Sequence, residues 1–424
     1  MLTLRLLLIA GLLQTAAYPF QAALQAGVAS IDITPSMLGP MYGYANRRCG
    51  PATGTHDNLH AKALILDGGG PRIAIVTLDL GSMSSETLFR RAANELNLPI
   101  LLLSSSHTHS APAFLPPSVP EPAPYQKEVE EKIFQALQKA SSSMFPAKLG
   151  IARGSIQLGY NRLLLREDGR ARAVFDNLDR IPYGPVDPEI VLLRVDDAQG
   201  QSKALLVHYA VHAVVLGLTS CLYSADYPGV MQAKVEAALP GTQVMFVQGG
   251  AGDINPLFQG RTGNSDADFA TMQKMGELLA AEVIRTEKHV HPTAAHAHPT
   301  VSSTQTLKFN DRWDKEKTLD LGVTTILLNR QIAIATVPGE PFHKLQTSWK
   351  HDADVPFPLF YGYTQSTPTQ WPGYIPDLRS AAYGGYGADA STRIEIGAGE
   401  KIMQQHLVNL YQMKGMWLPA PGRP

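Results

Sequence analysis

The stretch SSSHTHSAP, residues 104–112, places two histidines one residue apart at the end of the apolar run PILLL. Residues i and i+2 of an extended chain face the same side, so His107 and His109 can present both imidazoles to one pocket. That geometry suits a metal ion. A pair alone does not make a centre, since zinc takes three or four ligands and histidines at a strand end serve equally as hydrogen-bonded neighbours at a loop edge. Further donors stand at comparable places: VHYAVHAVVLG carries His208 and His212, TVPGEPF puts Glu340 just past an apolar run, and QWPGYIP holds Tyr374 in a loop of turn residues. His208 and His212 are four apart, which on a strand separates them, so at most one reaches a shared ion. Each also has an ordinary structural use. Glu340 in a Pro-Gly turn can face solvent, and Tyr374, with a reference pKa near 10, can be a packed aromatic.

Two other motifs carry local chemistry. QGGAGDINP, residues 248–256, follows an apolar run with three glycines and allows a nest of backbone amides for an anion or oxyanion. It contains no dinucleotide or phosphate-loop pattern. SADYPG, residues 224–229, reads as a helix start, with Asp226 as N-cap and Pro228 in the first turn.

These residues need elements to hold them. RIAIVTLDL, the helical SSETLFRRAANEL, the apolar PILLLSSSHTH and the helical YQKEVEEKIFQALQKASSSM follow in β-α-β-α order. The alternation returns with KALLVHYAVHAVVL, a helix from about Asp226 to Leu239, QVMFVQG and the long DADFATMQKMGELLAAEVIRTEK, before a strand-rich region around TTILLNRQIAIATVPGE. Continuous apolar strands between helices predict an α/β protein with a mixed sheet core covered by helices. The chemistry is then expected at the carboxyl ends of the strands.

The chain of 424 residues can bury a core without staples, and its 36 basic against 37 acidic side chains, without blocks of one sign, give no reason to expect a nucleic-acid partner. The N-terminus, MLTLRLLLIAGLLQTAAYPFQAALQAG, has one arginine, a short apolar run from Leu6 to Leu13 and then small residues, the pattern of an export leader over residues 1–25. No later run supplies the roughly 20 apolar residues of a spanning anchor. An exported, periplasmic or extracellular protein is expected. Its two cysteines, Cys49 and Cys221, either pair or stay apart as small apolar residues; a bridge would pin two segments beside the candidate site.

The ordered set GVASIDITP, MYGYA, TGTHDNLHAKALIL, VTLDL, SHTHSAP, YNR, VHYAVHAVVLG, SADYPG, GDINP, VPGE, GYIP and GGY resembles the neutral/alkaline, non-lysosomal ceramidase family from about Ala26 to the low 390s. The resemblance implies a zinc-dependent amide hydrolase whose catalytic domain spans residues 26–424, without the C-terminal β-sandwich of the ceramidases. By motif position His107, His212, Glu340 and Tyr374 match the zinc ligands. His109 matches the second histidine of the family's His-Thr-His step, and Arg162 and Tyr386 match residues that contact polar atoms of the substrate. Where ceramidases carry a serine in GDVSPN, this chain has Asn255, which can exchange hydrogen bonds but cannot attack as an alkoxide. The scheme that follows uses metal-activated water on a small or lipid-like N-acyl substrate, with His109 as acid and base and Arg162, Tyr386 and Asn255 holding the substrate oxygen. The alternative is a secreted zinc- or ligand-binding protein of this descent without turnover.

Overall fold

The computed structural model describes residues 24–47, 49–114, 124–294, 299–389 and 391–417. The leader expected from the sequence falls almost wholly outside them. The fold begins at Leu24, which is buried and whose carbonyl accepts from Ala147 N–H.

The first two thirds of the chain build one curved sheet from β1 (Gln25–Asp32), β2 (His60–Asp67), β3 (Ile73–Leu78), β4 (Ile100–Ser105), β5 (Phe145–Ser155), β6 (Glu189–Asp197), β7 (Ser202–Tyr209) and β8 (Gln243–Gln248). Across the sheet they run β8-β7-β6-β5-β1-β2-β3-β4. The sheet is mixed. β3 pairs parallel with β4 through helix α1 (Glu86–Leu96), and β7 parallel with β8 through α3 (Asp226–Ala238), while the other neighbours are antiparallel. These two β-α-β units are the ones whose periodicity alternates in the sequence.

Helices α1, α2 (Pro124–Ser142), α3 and α4 (Ser265–Glu287) cover one face. Leu88 of α1 and Ile133 of α2 bury against Ala63 and Val76, and Met231 of α3 and Leu279 of α4 bury against Val207 and Phe246. Residues of the opposite strand parity, such as Leu64, Ile75, Leu102, Leu206 and Val247, pack instead with Ile326, Ile334 and Leu359. Those three belong to a second sheet of β9 (Val301–Asn310), β10 (Thr318–Leu328), β11 (Ile332–Thr336) and β12 (Phe357–Tyr361). Its far face carries α5 (His343–Asp352) and α6 (Ala398–Met413), with Trp349 and Ile402 in the apolar layer. The architecture is therefore helix, sheet, sheet, helix: helices cover one face of the large sheet, and a sheet covers the other.

Asp226 does not cap α3. It is the first helical residue, lies in the left-handed region at φ +57°, and is fully buried. Its carboxylate accepts from the N–H groups of Val215 (3.3 Å), Leu216 (3.0 Å) and Tyr227 (2.7 Å), so it fixes the loop that follows His212. Ala225 occupies the cap position without a side-chain bond. The carboxylate is shared between Tyr227 N–H of the first turn and two loop amides that no strand pairs, so it ties that loop to the helix start.

Cys49 and Cys221 form a disulfide across 172 residues and pin two segments of the site, as the sequence allowed. Among the described residues no helix is long and apolar enough to cross a membrane.

Candidate metal centre and cleft

One strand of each β-α-β unit, β4 of the first and β7 of the second, ends at the site. β4 stops at Ser105, and His107 follows at φ +63°, outside the extended alternation that the sequence suggests. The two imidazoles converge because the backbone kinks. Their Nε2 atoms lie 3.2 Å apart with ring planes at 76°. β7 stops at Tyr209, and its continuation brings in His212, whereas His208 stays within the strand and bonds Phe360 O at 2.7 Å, away from the cluster. Glu340 and Tyr374 are direct partners in a short parallel ladder between Glu340–Pro341 and Tyr374–Ile375.

The donor atoms are aimed. His107 Nδ1 is 2.7 Å from Gly81 O and His212 Nδ1 is 2.6 Å from Ala251 O, which assigns the ring protons to Nδ1. The Nε2 lone pairs then face Glu340 Oε2, at 3.3 Å from His107 and 3.1 Å from His212. Ligand nitrogens of His107, His109 and His212 all lie within 4.8 Å of one another. Burial pushes His212 down to about 4, and burial together with His107 and His212 holds His109 well below its usual range. Burial works to raise Glu340, but His107 and His212 beside it outweigh burial and hold its carboxyl well below the usual range. Imidazoles held by carbonyls at Nδ1, with Nε2 directed at a carboxylate, fit a divalent cation of borderline softness.

His109 differs from its two neighbours. Its Nδ1 is buried without a hydrogen-bond partner, so no carbonyl locks its tautomer. Its ring sits edge-on to Tyr42 and Tyr44 and against Gly43, where a Cβ would lie 2.2 Å from His109 Cγ. Gly43 is also at φ +94°, so both the conformation and the close approach require glycine.

Above the cluster opens a cleft of about 550 Å³ whose lining includes His109, His212, Arg162, Asn255, Tyr374 and Tyr386. The eight residues matched by motif to the ceramidase site thus meet in one place, with His107 and Glu340 touching the cleft histidines, whereas His208 does not join them. Arg162 is 3% exposed, donates to Asn255 Oδ1 (3.1 Å) and Gly252 O (2.6 Å), and stacks near Tyr374 and Tyr386 at 5.2 and 5.1 Å. Burial first, and then Glu340, pushes the Tyr374 phenol well above its usual range, with Arg162 opposing.

The glycine-rich turn is not a nest of amide donors. Gly249 N–H bonds Tyr209 O, Gly250 N–H bonds Gln346 Oε1 and Gly252 N–H bonds Pro341 O, so the amides are spent on the scaffold. Its carbonyls face the site instead, at His212 and Arg162. A Cβ on Gly252 would stand 2.3 Å from Glu340 O; the glycine serves close backbone approach.

Sequence reasoning missed Tyr44, Asn46, Phe175, Thr219 and Arg261 in the cleft lining, of which only Tyr44 lay in a noted motif, MYGYA. It also missed a buried ion pair under the cleft: His343 Nδ1 lies 2.6 Å from Asp253 Oδ2, with Asn161 Nδ2 donating to the same oxygen at 2.8 Å. Burial opposes both charges, but the mutual attraction raises His343 above its usual 6.5 and lowers Asp253 below its usual 3.8. Stability from the His343 proton is complete below 6.5 and is lost as pH rises through the higher folded value; that from Asp253 is present above 3.8 and is lost as pH falls through the lower one. Urea midpoints of the wild type are therefore expected to fall as pH rises above about 6.5, with a flatter dependence in His343→Gln. A wild-type curve no steeper than the variant's refutes this.

The fold and site define an α/β protein with an open cleft over a histidine-carboxylate centre competent to hold a metal ion. The chain belongs to the neutral/alkaline non-lysosomal ceramidase family, whose N-terminal domain model matches residues 24–307. It is similar to neutral ceramidase A of Dictyostelium discoideum, 28% identical over 269 residues that make up 56% of this chain and 36% of the relative. It is also similar to the neutral ceramidase of Pseudomonas aeruginosa, 25% identical over 284 residues, 59% of this chain and 40% of the relative. The matched region spans less than half the length of these relatives. The crystal structure of the Pseudomonas aeruginosa neutral ceramidase superposes with a TM-score of 0.74 at 15% identity, covering 95% of this chain and 76% of that one, and so shares the fold.

Proposed function

We propose that this chain is an exported, zinc-dependent hydrolase of N-acyl amide or ester bonds, with activated water in place of a serine nucleophile. The observation that carries the reading is the aim of His107 and His212, each fixed by an Nδ1 carbonyl contact with Nε2 toward Glu340. His107, His212, Glu340 and Tyr374 would hold the ion, which when bound supplies Lewis-acid polarisation and lowers the pKa of a water. The related proteins are named neutral ceramidases, which supports a lipid-like N-acyl compound as the substrate class.

The chain's own groups divide the remaining work. His109, unlocked at Nδ1 and facing the cleft, moves the proton between nucleophile and leaving group. Arg162 and Tyr386 orient the substrate oxygen. Asn255 Oδ1 already accepts from Arg162, so Asn255 acts by positioning that guanidinium. Asn255→Ala is expected to cost only about tenfold in kcat/KM, the scale of one lost supporting hydrogen bond to a charged group. A loss as deep as that of a metal-ligand variant would return Asn255 to the reacting atoms.

Export is supported by the apolar N-terminus and by a disulfide, which persists in oxidising compartments. The burial of Leu24 and the pairing of Gln25 with Asp67 in the central sheet favour a leader that ends before Leu24 rather than at residue 25. The test is elemental analysis of the mature protein with an amide and ester screen, chelated and zinc-restored. About one metal per chain, with turnover that chelation removes and zinc restores, supports the reading. Bound metal without turnover of any member would favour a binding protein.

A further inference from the structure

We propose that the cleft contains a cationic subsite, formed by Arg261, Tyr44 and Thr219, that takes an anionic head group of the substrate. The proposal rests on the hydrolase reading and adds a substrate class to it.

Tyr44 Oη, Thr219 Oγ1, Arg261 Nε and Arg162 Nε are each buried without a hydrogen-bond partner among protein atoms, and all four side chains line the same cleft. One such atom is an ordinary exception; several gathered in one concavity call for a ligand rich in acceptors, because each buried unpaired donor costs free energy. The charge points the same way. Burial dominates at the Tyr44 phenol and raises it; Arg261, Arg47 and Arg162 act on it in the opposite sense, Asp226 adds to the rise, and the Arg47 guanidinium lies 5.1 Å from the ring. The acids nearby are Asp226, whose carboxylate accepts from Val215, Leu216 and Tyr227 N–H, Asp176, 3.5 Å from Arg261 with a side chain 81% exposed, and Glu340, already engaged by two histidines. Arg261 donates through Nη1 to Phe175 O at 3.0 Å, and its Nε has no partner among protein atoms.

A neutral head group would satisfy the hydroxyls and leave the guanidiniums uncompensated. A carboxylate or phosphate answers both, which makes the fitting substrates N-acyl amino acids or phosphorylated N-acyl amino alcohols. Val214, Leu218, Phe175 and Tyr386 share the cleft and offer apolar surface to the acyl chain.

The experiment compares N-hexanoylglycine and N-hexanoyl-O-phosphoethanolamine with the neutral N-hexanoylethanolamine, measuring kcat/KM and calorimetric Kd on the metal-loaded full chain. The wild type should favour at least one anionic probe by about tenfold or more, the worth of a charged hydrogen bond. Whichever is preferred separates the carboxylate from the phosphate source. Arg261→Gln should abolish the preference and Arg261→Glu reverse it; Thr219→Val, nearly isosteric, should weaken it and serves if the arginine variants do not fold. Equal Kd and kcat/KM for charged and neutral probes in the wild type, or a preference that survives every variant, overturns the subsite. If no probe is hydrolysed, the hydrolase reading fails and the Kd comparison still decides the subsite.

Discussion

On the hydrolase reading proposed above, His107→Ala is expected to fold, to bind no metal, and to hydrolyse N-acyl amides slower than the wild type by on the order of a thousandfold or more, because the metal's whole electrostatic contribution goes with it. His212→Ala should do the same. The expectation comes from how each ring is held: one nitrogen on a backbone carbonyl, the other aimed at Glu340 Oε2. The remaining histidines are built differently, and the series tests that difference. His208 is as buried as His212 and lies four residues away, but its Nε2 bonds Phe360 O, so His208→Ala should cost stability and keep the metal. His109→Ala should also keep metal, because its Nδ1 lacks the carbonyl contact that orients the other two, while losing turnover and altering the pH profile. Elemental analysis beside kcat on the four variants reads this directly. Metal retained in both His107→Ala and His212→Ala would refute the assignment, and metal lost in His109→Ala would make all three imidazoles ligands.

What made this site legible in the sequence was its placement just past apolar strands. His107 and His212 follow β4 and β7 within a few residues, and strand ends on a covered sheet are where side chains from distant segments meet. Local pattern therefore suggested the neighbourhood, and motif order supplied which residues share it. The details that escaped depend on partners far along the chain. The second sheet covers one face of the first through the strand parity that periodicity takes as simply buried. Asp226 has the composition of a cap, and only the unpaired amides of Val215 and Leu216 turn it elsewhere. The kink at His107 cannot be read from alternation, and the carbonyl-out turn at residues 249–252 is set by Pro341, Gln346 and the approach of Glu340. Asp253 and His343 are 90 positions apart, and nothing local in either segment marks the pair.

Removing the disulfide in Cys49→Ser/Cys221→Ser should destabilise the protein by about 2–5 kcal/mol, the upper end reflecting loop-closure entropy for a bridge spanning so long a segment. The bridge closes 172 residues, which include β1's partners β2 and β5, β4 with His107, and β7 with His212. The loss should not spread evenly. Cys49 follows the segment that carries Tyr44 and Asn46, and Cys221 follows Leu218 and Thr219, so the bridge joins two stretches of cleft lining that lie outside the main strands. Beyond it they are tied by Arg47 to Ser220 O, by Thr53 N–H to Cys221 O at 2.7 Å, and by a two-residue ladder of Gly54–Thr55 with Leu222–Tyr223. These ties are few and partly exposed, whereas His107 and His212 are fixed independently by Gly81 and Ala251. The double variant should therefore keep its metal while hydrogen exchange rises in segments 43–53 and 217–222 and KM increases more than kcat falls. Exchange that rises uniformly across the sheets, or a KM unchanged while stability drops, would mean that the bridge holds the fold without shaping the cleft.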